Sequence, residues 1–154
     1  MNLRTYLCFA LSRKLMPRPA ERTLNYEFYG DWRSTSLSRS WAAFSDSQVE
    51  GKDVLDFGCG DGQLSLFLAK EKRPRRVVGV DVVAQSVERA KASLATTRVP
   101  EGVHVDFLQS SMDKVPVPDK SFDTVIAFDC LEHVMAPCPI LHDWYRILRP
   151  GGVA

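Results

Sequence analysis

From Lys52 onward the chain alternates short apolar runs with longer stretches whose apolar residues recur at helical spacing. Val54 to Phe57 reads as a buried strand, followed by a helix over Gln63 to Glu71 with Leu64, Phe67 and Leu68 on one face. Arg76 to Val80 is a second strand, and Ala84 to Thr96 a helix carrying Val87, Ala90 and Leu94 at positions i, i+3 and i+7. Val103 to Leu108 is a third strand and Phe122 to Phe128 a fourth. Pro137 to Leu148 then forms a helix with Leu141, Trp144 and Leu148 facing one way, stopped by Arg149 to Gly152, "RPGG". Such alternation predicts an α/β fold, a Rossmann-like doubly wound parallel sheet wrapped by helices.

The strand patterns also predict an order. Val103, Val105 and Phe107 alternate with His104 and Asp106, as on a half-exposed edge strand. The first and fourth strands are more continuously apolar and belong in the centre. An order 3-2-1-4-5 satisfies both, and places a ligand crevice between strands 1 and 4, where the winding reverses. Only Val153 and Ala154 remain for a fifth strand, so the C-terminal strands are expected to be missing and the fourth to be an open edge. On that expectation the chain is a fragment of a larger domain, or borrows strands from another chain.

Residues 1–48 are expected to form a helical or lid segment, separate from the α/β unit at 49–154. Leu3, Leu7, Leu11 and Leu15 repeat every four residues, a stripe for docking on the domain or a subunit. The neighbouring Arg4, Arg13, Lys14 and Arg18 also allow a peripheral membrane contact through residues 3–15. Pro17 and Pro19 end that helix, and "NYEFYGDWRSTSLSRSW" follows as loop and short helix.

Composition narrows the class. At 154 residues, 45% hydrophobic and 25% charged, the chain is one globular domain at most. Twenty basic against nineteen acidic side chains give no electrostatic reason to expect nucleic acid. Cys8, Cys59, Cys130 and Cys138 form no C-x-x-C pair, so free thiols in a reducing, cytoplasmic setting are expected. No apolar run is long enough to span a membrane.

The chemistry concentrates in "VLDFGCGDG", Val54 to Gly62. A strand, a glycine turn and a helix leave unpaired helical N–H groups facing the crevice, and the glycines permit close approach of a ligand. A dinucleotide fingerprint, G-x-G-x-x-G, would require glycine at position 63, which is Gln63. Asp56 and Asp61 at the same mouth would repel a pyrophosphate, against a helix terminus worth only about half a positive charge. A ligand bearing an ammonium and a sulfonium gains instead. S-adenosylmethionine is such a ligand, and Asp81, ending "VVGVD", stands where an acid would accept the ribose hydroxyls.

Together "VLDFGCGDG", "VVGVD", "DKSFDTVIAFDCLEHV" and "RILRPGG" resemble the class I S-adenosylmethionine-dependent methyltransferases, nearest the group that includes quinone and natural-product methyltransferases. The resemblance runs from about Val49 to Gly152. It implies S-adenosylmethionine as cofactor, with Asp56, Gly58, Cys59, Gly60 and Gly62 along its methionine moiety. Asp81 would hold the ribose and Val82 pack on the adenine. Ser111 and Met112 would lie along the adenine edge, Ser111 standing where the family often has an acid. Asp129 would face the transferring methyl. Plainer roles stand beside these: helix packing for Gly62, N-capping for Asp61, helix capping for Asp81, and solvated strand ends for Asp53 and Asp123.

Methyl transfer from a sulfonium is a displacement that needs positioning above all, with a base only if the acceptor must lose a proton early. His133 is the candidate base, or a loop-capping histidine. Asp129, Glu132 and His133 would share a face of a helical turn and are weak candidate metal ligands; no metal is expected. Tyr26, Tyr29, Trp32 and Trp41 are lid or core, and Arg33 or Arg39 would pair the methionine carboxylate. The function expected is methyl transfer to a small-molecule or lipid-like acceptor. The alternatives are a non-catalytic cofactor-binding fragment and a nicotinamide-dependent oxidoreductase.

Overall fold

The structure is a computed structural model that describes residues 45–111 and 114–154. The leucine stripe and membrane contact at residues 3–15, the aromatic lid, Arg33, Arg39 and Met112 lie outside the described residues. No helix among the described residues is long and apolar enough to cross a membrane.

A short 3-10 turn (η1, Asp46–Gln48) leads into β1 (Asp53–Phe57), α1 (Gln63–Glu71), β2 (Arg76–Asp81), α2 (Ala84–Thr96) and β3 (His104–Gln109). Then come β4 (Phe122–Ile126), a second 3-10 turn (η2, Leu131–His133), α3 (Pro137–Ile147) and β5 (Leu148–Val153). The five strands form one sheet in the order β3-β2-β1-β4-β5, all pairs parallel. Every residue of β1 is buried, as a central strand between two helical layers requires, while β3 is largely exposed at one edge.

The opposite edge corrects the expectation. Leu148–Val153 pairs with β4, so β4 is not an open edge and the fifth strand is present. Pro150, Gly151 and Gly152 hide it in the sequence. Proline cannot donate to a ladder and is confined to edges, and the pairing with β4 is irregular between Phe122 and Thr124. Nor does a left-handed glycine cap the preceding helix, since Leu148 already has an extended backbone (ψ 138°).

The main core lies where β1, β2 and β4 meet α3: Leu55, Phe57, Val78, Val80, Phe122, Val125, Ile140, Trp144 and Ile147. Phe57 and Trp144 meet edge to face, ring centroids 5.3 Å apart. A second cluster of Cys59, Leu66, Val87, Ala90 and Phe107 packs α1 and α2 against β3.

At the amino ends of the strands, Asp53 is buried where a strand-end reading had it solvated, and Asp123, which stays partly exposed, is tied down as well. Asp53, 5% exposed, binds Arg75 through two hydrogen bonds of 2.8 and 2.6 Å and accepts from Arg149 at 2.8 Å. Asp123 accepts the Asp53 N–H at 2.8 Å and pairs with Arg149 at 2.9 Å. These bonds tie β1, β4, β5 and the start of β2 in register. The Arg75 guanidinium, followed by Arg149 and the field of Arg76, holds the Asp53 carboxyl down at about 2 against its burial.

Candidate functional site at the carboxyl ends of the strands

The β1–α1 turn folds back on β2. Gly58 and Cys59 both donate their N–H to the Val80 carbonyl, at 2.8 and 3.0 Å. Gly58, Gly60 and Gly62 take positive φ of 77°, 57° and 82°. Two of them are also sterically obligatory. A Cβ on Gly62 would lie 2.6 Å from the Phe107 ring, and one on Gly58 2.6 Å from Cys130 Cβ. The packing role considered for Gly62 is therefore real: it lets α1 close onto β3.

Asp81 ends β2 with its carboxylate held by backbone. Oδ2 accepts the Gly60 N–H at 2.9 Å and Oδ1 the Val83 N–H at 2.8 Å. Each carboxylate oxygen has a further lone pair, so two acceptor directions remain for hydroxyl donors. Val82 beside it is 38% exposed, an apolar face open to a ring. The Gly60 N–H, a donor on which a dinucleotide's phosphate would depend, is turned onto a carboxylate instead.

Several expected site residues are placed differently. Asp56 is 2% exposed and accepts the Ser65 hydroxyl at 2.6 Å, so its carboxylate braces β1 against α1 from inside. Cys59 is also 2% exposed, and its side chain belongs to the second core cluster. Only its backbone lies along the turn. Asp61 accepts from Gln63 at 3.2 Å. Ser111 is exposed, and its hydroxyl donates to the Lys114 carbonyl at 3.0 Å.

Asp129, Glu132 and His133 are exposed on the loop after β4. They do not form a ligand set, and among the described residues no three His, Cys, Asp or Glu side chains converge on a metal position. The reason is conformational. Asp129 has φ 49° and precedes a three-residue 3-10 turn, so the α-helical spacing that would align the three does not apply. The His133 N–H donates to the Cys130 carbonyl at 3.0 Å.

The electrostatics of the mouth can be read from its thiols. Burial raises the Cys59 thiol well above its ordinary range, helped by Asp56, Asp81 and Asp61. Burial likewise pushes Cys130 up to about 12, with Asp56, Glu132, Asp81 and Asp129 adding to it. Among the described residues, no lysine or arginine pairs with Asp61, Asp81, Asp129 or Glu132. The acids near the two thiols therefore give this end of the sheet a negative local field among the described residues.

Other residues shape the site without a readable sequence signal. Ser110 is buried at the end of β3; its N–H donates to the Asp81 carbonyl at 2.9 Å, and its hydroxyl has no partner. On α3, Asp143 accepts the Val115 N–H at 2.7 Å and Arg146 Nε at 2.6 Å. Arg146 also donates to the carbonyls of Val117 and Val115, at 2.9 and 3.1 Å. This pair stakes down the segment that joins β3 to β4. Only its spacing of three on a helix hinted at contact. A hollow of about 480 Å³ lined by Arg73, Arg75, Glu101 and Val103 lies at the amino ends of the strands, away from the switch point where ligands of this architecture sit.

The residues present fit S-adenosylmethionine: a partly exposed acid flanked by an apolar side chain, an orphaned buried hydroxyl, and acids that no lysine or arginine among the described residues pairs with.

Comparison with known proteins agrees with this geometry. The family described as "Methyltransferase domain" matches residues 55–154. A ubiquinone biosynthesis O-methyltransferase of Erwinia tasmaniensis is 31% identical over 132 residues, covering 84% of this chain and 51% of the relative. A fatty-acid O-methyltransferase of Mycolicibacterium smegmatis is 33% identical over 121 residues, covering 77% of this chain and 40% of the relative. Among solved structures, an S-adenosylmethionine-dependent methyltransferase from Mesorhizobium loti superposes with a TM-score of 0.60 at 25% identity, covering 77% of this chain and 49% of that one. The chain thus spans about half the length, or less, of the curated relatives it matches. Neither the oxidoreductase nor the non-catalytic alternative finds support among these relatives. By its motif order, its sheet and its matching family, the chain belongs to the class I S-adenosylmethionine-dependent methyltransferases.

Proposed function

We propose that this chain binds S-adenosylmethionine across the carboxyl ends of β1, β2 and β3 and serves methyl transfer to a small-molecule or lipid-like acceptor. The observation that carries the reading is Asp81, fixed by the Gly60 and Val83 amides in an acidic mouth. When bound, the cofactor supplies an electrophilic methyl group on a sulfonium. Asp81 accepts the ribose hydroxyls with its two remaining lone-pair directions, and Val82 covers the adenine face. The turn at Gly58 to Gly62 lets the backbone approach the amino-acid end, while the acids stabilise its positive charges. Ser110, with its unpartnered hydroxyl, joins Ser111 as a polar group on the adenine side.

Asp129 lies at the acceptor side of the mouth. His133 accepts a proton at its imidazole where the acceptor hydroxyl must be deprotonated; otherwise in-line positioning suffices. The acceptor class is supported by the relatives' names, which include ubiquinone biosynthesis and fatty-acid O-methyltransferases. The same reading takes the setting to be cytoplasmic, in keeping with four cysteines that form no C-x-x-C pair.

Calorimetric titration of the 154-residue chain with S-adenosylmethionine and, separately, NAD tests the cofactor. Binding of the first alone is expected, and binding of NAD alone would overturn the reading. Transfer of a labelled methyl group to a catechol or to a long-chain fatty acid then tests the acceptor.

A further inference from the structure

The loop after β4 and the glycine turn come from distant parts of the chain, yet one side chain joins them. Cys130 Sγ lies 3.1 Å from the Phe57 carbonyl oxygen, the last residue of β1. Its Cβ and Sγ fill the space where a side chain on Gly58 would begin, 2.6 and 2.8 Å from an ideal Cβ. The residue before it, Asp129, has φ 49°, a left-handed conformation that side-chain-bearing residues rarely adopt and that Asp tolerates better than most. Beyond it the backbone closes on itself, with His133 N–H to the Cys130 carbonyl at 3.0 Å and Val134 N–H to the Leu131 carbonyl at 3.2 Å. Such strained backbone persists where surrounding contacts over-determine it.

We propose that Cys130 is a positioning residue that latches the loop after β4 onto the glycine turn and so fixes Asp129 at the mouth of the site. The inference rests on the cofactor reading above for its effect on binding, but not for the latch itself. Burial and the surrounding acids keep the thiol protonated, so it remains a donor. Its neighbour across the contact must be glycine. A larger group at either position separates the two loops that shape opposite sides of the crevice. The thiol is a structural donor and not a nucleophile.

Two measurements on the full chain separate the latch from its consequence. In the absence of any ligand, Cys130→Ala is expected to speed amide hydrogen exchange of residues 129–134 several-fold relative to wild type, with Cys130→Ser intermediate because its hydroxyl keeps a donor in place. S-adenosylmethionine affinity by calorimetry is expected to fall about fivefold in Cys130→Ala and to recover partly in Cys130→Ser. Unchanged exchange in both variants overturns the latch. Faster exchange with wild-type affinity overturns its role in positioning the site. A wild-type chain that binds no S-adenosylmethionine, with exchange responding as expected, would sink the cofactor reading and leave the latch standing.

Discussion

The two ends of the same parallel sheet carry acids that meet opposite fates. At the amino ends, Asp53 and Asp123 are bound by Arg75 and Arg149, and the carboxylates are consumed in holding strands together. At the carboxyl ends, Asp81 is oriented by neutral backbone N–H groups, and no cation among the described residues pairs with Asp61, Asp81, Asp129 or Glu132. Charge that is closed by arginine makes register. Charge that is oriented but not paired with a cation is what a positively charged ligand would meet on the proposed cofactor reading. Residue type alone does not distinguish the two, because Asp53 and Asp81 are both aspartates at strand termini, one starting β1 and the other ending β2.

The sharpest way to break this comparison is Asp81→Ala. Losing charge-assisted hydrogen bonds to the ribose and the tether on Gly60 should weaken S-adenosylmethionine about a hundredfold, read by calorimetry. Gly62→Ala strikes both ends through packing. The φ of 82° and the approach to Phe107 predict a loss of about 2–4 kcal/mol in urea unfolding.

Asp53→Asn addresses the amino end alone and should leave cofactor affinity unchanged. The folded-state pKa of about 2 lies below the ordinary 3.8, so its stabilisation is present above about pH 4 and lost as the pH falls toward 2. The wild-type stability should therefore fall by up to about 2 kcal/mol across that window from this group, and Asp53→Asn should flatten that limb in acid-titrated unfolding. The smallest effect belongs to Asp61→Asn. It removes one carboxylate from the negative mouth, and a few-fold loss of S-adenosylmethionine affinity, larger at low salt, is expected.

Much of this was legible in the chain. In Ala84–Thr96 Val87 and Ala90 are buried as their period predicts, and the strand at Arg76 buries its apolar run, whereas in Gln63–Glu71 Leu66 is buried with Leu64 and Leu68 and Phe67 only partly. The glycine turn and Asp81 were legible because the chemistry of the turn is local. β5 was not, since Pro150 and two glycines carry no strand signal, and pairing with β4 supplies what the sequence lacks. The inward brace of Asp56, the orphaned Ser110 hydroxyl, the Asp143–Arg146 stake and the Cys130 contact depend on residues up to 73 positions apart. Apart from the i, i+3 spacing of Asp143 and Arg146, no spacing rule encodes them. The arginine closure of Asp53 and Asp123 likewise follows from strand order, which brings Arg149 beside β1 and β4 only once the sheet exists.

The most direct test is one titration run three times: S-adenosylmethionine into the wild-type chain, Asp81→Asn and Asp53→Asn, with circular dichroism confirming each fold. Tight binding to the wild type is expected, with the same affinity for Asp53→Asn and a large loss for Asp81→Asn without a matching loss of stability. Equal affinity for all three, or a loss shared by both variants, would contradict the division of the sheet into a structural end and a binding end.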